Sequence, residues 1–193
     1  MSKRILVING NPATQRESFT ATLCHAYDDG ARDGGHEVRR LDIAALAFDP
    51  ILHEGLHGDQ PLEPGLVEAQ DSIQWANHLV FVYPMWQFGV PALLKGFCER
   101  TLSPSFAYGL SGKNPLDIGL LKGRSARLIQ TMGMPDALYS FKYQAHGGKA
   151  FRSLLDFCGI APVGMSFLGQ IESGEETRRR YLARVHQLGF RGI

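Results

Sequence analysis

One run of five apolar residues, Leu-Val-Phe-Val-Tyr at 79–83, constrains the fold of this chain more than any other segment. The run shows no polar alternation and is followed at once by a proline. Such a run is typical of a strand that is buried on both faces. A shorter run at 5–8 has the same character, and further strands are predicted over 38–41, 126–131 and 163–168.

Segments with helical spacing separate these strands. A helix is predicted after Ser18, a residue suited to the N-cap, and it ends at the glycine pair 34–35. The next helices are predicted over 64–77, from Pro91 at the N1 position to Leu102, over 149–158 and over 175–188. Loops are predicted over 42–63, 103–124 and 132–148.

The strict alternation of strand and helix predicts an α/β fold whose parallel sheet is covered on both faces. Right-handed crossovers leave few topologies for such a chain. The five-stranded version is a flavodoxin-like three-layer α/β/α sandwich with a five-stranded parallel sheet of strand order 2-1-3-4-5. The length of 193 residues suits one domain, which we expect to span 1–193.

Composition excludes several classes of protein. Lys and Arg number 20 and Asp and Glu number 19, so the chain lacks the excess of positive charge expected of a nucleic-acid binder. Three scattered cysteines without a C-x-x-C pair favour a reducing compartment. No apolar stretch has transmembrane length, and the run at 5–8 is too short for a signal peptide. We therefore expect a cytoplasmic protein without a membrane span.

The loops after the first and third strands are the expected ligand site, because ligands of such sheets bind beyond the carboxyl ends of the strands at the switch point. The loop at 9–17 leads into a helix N-terminus, which favours a phosphate group. The loop at 84–90 carries Trp86 and Phe88 between two prolines. A flat aromatic ligand would explain these rings, and so would packing against a second subunit or within the core.

A match to the H-E-x-x-H pattern of zinc proteases occurs at 53–57. The segment contains a central glycine and lies between Pro50 and Pro61, so a stable helix is not expected there. No third ligand is evident, and the sequence predicts no metal site. The dinucleotide fingerprint and the P-loop are absent after the first strand.

Two neighbouring stretches carry a family resemblance: Tyr-Pro-Met-Trp-Gln-Phe-Gly-Val-Pro-Ala-Leu-Leu-Lys-Gly-Phe-Cys-Glu-Arg at 83–100 and Phe-Ala-Tyr-Gly at 106–109. Together they resemble the NAD(P)H:quinone oxidoreductase (DT-diaphorase-like) family. The resemblance extends over nearly the whole chain. It implies a flavodoxin-like flavoprotein that uses NAD(P)H as co-substrate and reduces quinones or similar acceptors by two-electron hydride transfer in a ping-pong mechanism. It also implies a homodimer with the site at the subunit interface.

The same resemblance implies roles for individual residues. Tyr139 and His146 would be the catalytic pair that balances charge during hydride transfer. Tyr108, Trp86, Phe88 and His146 would line the substrate pocket, with Tyr108 reaching the partner subunit's flavin. The flavin would be contacted by residues of three loops and the segment that follows: Asn11, Ser18, Phe19, Pro84, Met85, Trp86, Gln87, Phe88, Thr131, Met132, Gly133 and Tyr139.

Among the positions that depart from the family, Asn11 stands where a histidine is common and Leu110 where some relatives carry a second pocket tyrosine. FAD is the expected cofactor, since the Ser-Phe-Thr start at 18–20 resembles the FAD-binding branch, and FMN is the alternative. The alternative functions are an electron carrier, a regulatory ancillary subunit of a potassium-efflux system, and a nitro- or azo-reductase. The preference for NADH or NADPH and the physiological acceptor are left open.

Overall fold

The computed structural model describes residues 2–13, 18–56, 58–109 and 118–193. The elements along the chain are β1 (Arg4–Asn9), α1 (Phe19–Asp33), β2 (Glu37–Asp42), α2 (Pro64–Trp75), β3 (His78–Pro84), α3 (Ala92–Thr101), β4 (Ser125–Thr131), α4 (Asp136–Phe141), α5 (His146–Phe157), β5 (Val163–Leu168) and α6 (Glu175–Arg191).

The five strands form one parallel sheet in the order β2-β1-β3-β4-β5, which confirms the predicted fold class and topology. Alternate residues of β1 and β3 point to opposite faces. Leu6 and Phe81 pack under α2, α3 and α5, whereas Val7 and Val80 pack under α1 and α6. The sheet is therefore buried on both faces, as the uninterrupted run in β3 predicted.

Helices α1 and α6 cross at very short range, and glycines make this possible. A Cβ atom on Gly30 would lie 2.0 Å from the carbonyl oxygen of His186, and one on Gly189 would lie 2.2 Å from that of Tyr27. Only residues without a side chain allow the two backbones to approach this closely. The first and last helices of the chain therefore form a single layer over one face of the sheet.

The long connection between β2 and α2 is held by a buried arginine of α3. Arg100 donates hydrogen bonds to the carbonyl oxygens of Asp49 and Pro61, both at 2.7 Å, and pairs with the Glu63 carboxylate at 2.9 Å. A short 3₁₀ turn, Ile43–Ala45, opens this connection, which is otherwise irregular as predicted. The loop is thus fixed to the helix that follows β3.

Two details of the predicted elements were wrong. The segment 132–148, predicted as a loop, contains α4 and the start of α5 at His146. Pro91 occupies the N-cap of α3 rather than the N1 position. Among the described residues, no helix is both long and apolar enough to cross a membrane.

Candidate active site

The first loop at the carboxyl edge of the sheet is organised by Asn11. Its side-chain amide donates to the Thr20 hydroxyl at 2.9 Å, and its carbonyl oxygen accepts from the backbone of Ala13 at 3.1 Å. Asn11 is almost fully buried, so its side chain shapes the loop from inside. The remaining residues of this loop, 14–17, lie outside the described residues.

The N-terminus of α1 opens onto this edge. Ser18 occupies the N-cap, where its hydroxyl accepts from the backbone N–H of Ala21 at 3.2 Å. The backbone N–H groups of Phe19 and Thr20 have no partner within the described chain. Arg178 of α6 places its guanidinium 5.4 Å from the centre of the Phe19 ring. Free N–H groups and a nearby positive charge suit a phosphate group at this helix end.

The second loop forms a tight hairpin turn from Trp86 to Gly89. The backbones of these two residues exchange hydrogen bonds of 3.1 and 2.9 Å, and the central residues Gln87 and Phe88 have φ angles of 48° and 65°. Two positive φ angles define a type I′ turn, which normally contains Gly or Asn because other side chains are strained there. The Trp86 and Phe88 side chains are 48% and 43% exposed. The turn therefore holds two large rings in solvent at the expense of backbone strain.

The third loop lies directly beside the second. The backbone N–H of Met85 donates to the carbonyl oxygen of Thr131 at 2.8 Å, and that of Met132 to Leu168 at 2.9 Å. Thr131 and Met132 are buried as whole residues, so Gly133 is the exposed residue of this loop. A Cβ on Gly133 would meet no atom within 4 Å, which leaves open space beside this backbone.

The backbone N–H groups of Gln87, Phe88 and Gly133 have no hydrogen-bond partner within the described chain. Such donors, next to exposed aromatic rings, suit the polar edge of a flat heterocycle. Pro84 and Met85 are partly buried at the base of the same loop, so the predicted cofactor residues of the second and third loops do lie together.

Of the predicted catalytic pair, Tyr139 lies in the interior and His146 lies on the surface. Tyr139 is fully buried, with its ring edge-on to Phe167 at 5.2 Å. Its hydroxyl accepts from the backbone N–H of Gly148 at 3.1 Å, inside the first turn of α5. His146, the first residue of α5, is exposed and makes no side-chain hydrogen bond within the described chain. Only His146 of the pair can contact a ligand directly in this arrangement.

Tyr108 lies far from the other predicted pocket residues of its own chain. Its ring packs on Phe157, the last residue of α5, at 4.8 Å. Because α5 rises about 1.5 Å per residue, Phe157 is roughly 16 Å from His146 along the helix. Burial raises the pKa of the Tyr108 hydroxyl above its ordinary value. The neighbouring Leu110 lies outside the described residues.

Three residues of this edge were not singled out by the sequence. Tyr143 contacts the Phe88 ring at 4.6 Å, and Gly147 abuts the Phe88 carbonyl so closely that a Cβ would lie 1.9 Å from its oxygen. Arg178 belongs to a charged run whose sequence pattern indicates only a solvated helix face. The glycine doublet at 147–148 was a signal of close backbone approach that sequence reasoning left unused.

Other chemistries find little support in the described parts of the chain. His53 bonds to the Asp49 carboxylate at 2.9 Å within a turn, and His57, the second histidine of the zinc-protease pattern, lies outside the described residues. No group of three or more His, Cys, Asp and Glu with metal-binding geometry occurs among the residues the structure describes. Burial raises the pKa of the Cys98 thiol to about 12 and that of Cys158 to about 11, which disfavours a nucleophilic thiolate.

The fold defines a flavodoxin-like α/β protein, and the loops after β1 and β3 form its candidate ligand site. A family model described as a flavodoxin-like fold matches residues 3–188. Ribosyldihydronicotinamide dehydrogenase [quinone] of Mus musculus is 35% identical over 215 aligned positions. The alignment covers 94% of this chain and 88% of the mouse protein. The chain therefore belongs to the flavodoxin-like family of NAD(P)H quinone oxidoreductases, and it is an oxidoreductase.

Solved structures agree with this assignment. Smu.1420 from Streptococcus mutans has a TM-score of 0.80 at 31% identity, covering 98% of this chain and all of that one. An FMN-dependent NADH-azoreductase from Bacillus anthracis has a TM-score of 0.73 at 17% identity, covering 99% of both chains, and it shows the fold alone. The chain spans 65% of the length of the guinea pig (Cavia porcellus) NAD(P)H dehydrogenase [quinone] 1, at 28% identity.

Proposed function

We propose that the protein is a flavin-dependent NAD(P)H:quinone oxidoreductase that reduces a quinone-like acceptor by two electrons in a ping-pong mechanism. The observation that carries the proposal is the strained turn at 86–89, which exposes Trp86 and Phe88 beside free backbone N–H groups. Strain of this kind persists mainly where a ligand site requires it. The relatives named above support NAD(P)H and a quinone as substrates.

The residues present fit a flavin. The N–H groups of Gln87, Phe88 and Gly133 suit the polar edge of its ring system, and the N-terminus of α1 behind Ser18 suits its phosphate. A bound flavin would supply the redox chemistry between NAD(P)H and the acceptor. The chain itself binds and orients the ring through fixed backbone donors, which also stabilise negative charge that develops on it.

Tyr139 and His146 have different tasks in this proposal. Tyr139 acts from the interior, where its hydroxyl fixes the first turn of α5 through Gly148. His146 stands exposed at the start of that helix, where its imidazole can donate or accept a proton in direct contact with a substrate. Tyr139 is therefore a positioning residue, and His146 is the member of the pair that meets the substrate.

A His146→Ala variant is expected to keep its flavin and to lose about ten- to a hundredfold in turnover, because a positioned proton donor contributes on this order or more. The measurement is steady-state reduction of menadione by both proteins, with the flavin content recorded on the same samples. Undiminished turnover with flavin retained would remove His146 from the mechanism.

We propose FAD as the cofactor, with FMN as the alternative. The Ser-Phe-Thr start at 18–20, which resembles the FAD-binding branch, supports this choice. Arg178 places a guanidinium beside Phe19 at the helix end proposed for the phosphate. Its Nε donates to the carbonyl oxygen of Ile171 at 2.9 Å, so the positive charge is fixed in place, and it suits the phosphate of either flavin.

A homodimer completes the proposal. Tyr108 packs at the far end of α5, away from the Trp86–Gly89 turn of its own chain. A second copy of the chain would bring this tyrosine to the site, in agreement with the role that the family resemblance implies for it.

The decisive experiment is purification followed by cofactor extraction and a menadione assay. We expect a yellow protein that releases FAD and oxidises NADH or NADPH steadily with menadione as acceptor. A colourless protein that cannot be reconstituted with either flavin would refute the proposal. Slow NAD(P)H oxidation by a yellow protein would favour the electron carrier or the ancillary subunit. Faster turnover of an azo dye or nitroarene than of quinones would favour a nitro- or azo-reductase.

A further inference from the structure

The rings of Phe88 and Tyr143 form a contact that the proposed function does not use. Their centroids are 4.6 Å apart and their planes are inclined by 43°. Phe88 belongs to the turn after β3, and Tyr143 belongs to the link between α4 and α5. Two loops that are distant in the chain thus each contribute one aromatic ring to the same place at the carboxyl edge.

Both of these loops are strained. The link after Tyr143 contains Gln144 and Ala145 with φ angles of 53° and 50°, and the opposite turn contains Gln87 and Phe88 at 48° and 65°. A residue with a side chain is sterically strained at such angles. Gly147 locks the two loops together against the Phe88 carbonyl. Backbone strain that is maintained on both sides of one aromatic pair indicates that the position of these rings is functional.

Tyr143 is the tyrosine of this segment that is available to a ligand. The Tyr139 hydroxyl is bonded within the core, whereas Tyr143 is partly exposed and its hydroxyl has no partner in the described chain. The ammonium of Lys142 lies 5.5 Å from the centre of the Tyr143 ring. The ring is therefore held by Lys142 and Phe88 before any ligand arrives, and little freedom is lost on binding.

We propose that the contacting rings of Tyr143 and Phe88 form a surface, here called the aromatic clamp, that selects flat, fused-ring acceptors. Tyr143 is its specificity-determining residue. The clamp lies beside the free N–H groups assigned above to the flavin edge, so a two-ring acceptor extends over the rings whereas a one-ring acceptor does not. This inference rests on the proposed function for the identity of the site. A ring contact of this kind contributes about 5- to 10-fold to affinity.

The test measures ligand binding and steady-state turnover in the wild type and in Tyr143 variants. Binding of 2-naphthol, a fused-ring compound that cannot accept electrons, is followed by the absorption of the flavin-loaded protein. Tyr143→Ala should weaken binding about 5- to 10-fold and raise the KM for menadione equally, with kcat little changed. Tyr143→Phe should behave as the wild type. Reduction of p-benzoquinone and of ferricyanide should be unaffected.

Phe141→Ala is the matched control, because Phe141 is an aromatic residue two positions away whose side chain is 80% exposed. Tyr143→Leu keeps most of the volume without the ring and should reproduce the loss seen with alanine. Wild-type affinity and KM in the Ala and Leu variants, or an equal loss in Phe141→Ala, would overturn the clamp. A wild type that binds 2-naphthol through Tyr143 and fails to reduce any quinone would refute the proposed function and leave the clamp in place.

Discussion

A Gly147→Ala variant is expected to lose about a hundredfold in kcat/KM with menadione. A Cβ at this position would lie 1.9 Å from the carbonyl oxygen of Phe88, where distances under 3.0 Å essentially never occur. The Phe88 oxygen belongs to the backbone, and the position of the Cβ is fixed by the backbone of residue 147, so no flexible side chain can yield. The start of α5 and the Trp86–Gly89 turn must therefore separate by about 1 Å, and a misplacement of this size can cost on the order of 10² in rate.

The measurement is steady-state kinetics with flavin content and thermal stability recorded on the same sample. Gly65→Ala is the matched control, because Gly65 lies in α2 and its added methyl would meet only the flexible Leu46 side chain at 3.3 Å. That variant should keep wild-type kinetics. A Gly147→Ala protein with wild-type kcat/KM would show that the contact between α5 and the turn does not position the site.

An Arg100→Leu variant should be destabilised by about 3–5 kcal/mol, because the removed guanidinium is the buried partner of three groups. The carbonyl oxygens of Asp49 and Pro61 lose their donors, and the Glu63 carboxylate loses its counter-charge. Arg100 is only 1% exposed, so water cannot replace these bonds without opening the connection between β2 and α2. Urea unfolding gives the free-energy difference directly.

Arg124→Leu is the matched control for that experiment. Arg124 also donates to backbone carbonyl oxygens, those of Ile73 at 3.1 Å and Gln74 at 2.8 Å, but it lies partly in solvent. Water can take over such bonds, so the cost should be about 1 kcal/mol or less. If both variants lose the same stability, burial of Arg100 is not the cause of its effect.

The sheet was predictable because the local sequence pattern identifies its central strand. The run at 79–83 is apolar throughout, and the alternation with helices leaves few strand orders, of which the flavodoxin-like one is observed. The helix α4 was not predictable on the same basis, since a helix of six residues is unstable in isolation. It forms because its own residue Tyr139 is buried in the core, and α5 begins early because the hydroxyl of that tyrosine accepts a hydrogen bond from the backbone N–H of Gly148.

The location of the site was predictable, but its internal contacts were not. A parallel sheet places the loops after β1 and β3 side by side, and the family resemblance supplied roles for Ser18 and Phe88. Nothing in the sequence places Arg178 on Phe19 or Tyr143 on Phe88, because these pairs join segments that meet only after folding. Asn11 illustrates the same limit, since its burial and its bond to Thr20 depend on the whole loop.

The close crossing of α1 and α6 has a consequence for the order in which the protein is made. The chain is synthesised from its N-terminus, so α1 is complete long before α6 leaves the ribosome. Until then the face of the sheet with Val7 and Val80 lacks half of its cover, and Arg178 is absent from the helix end at Ser18. The proposed phosphate-binding end of the site is therefore completed only after α6 has folded onto α1.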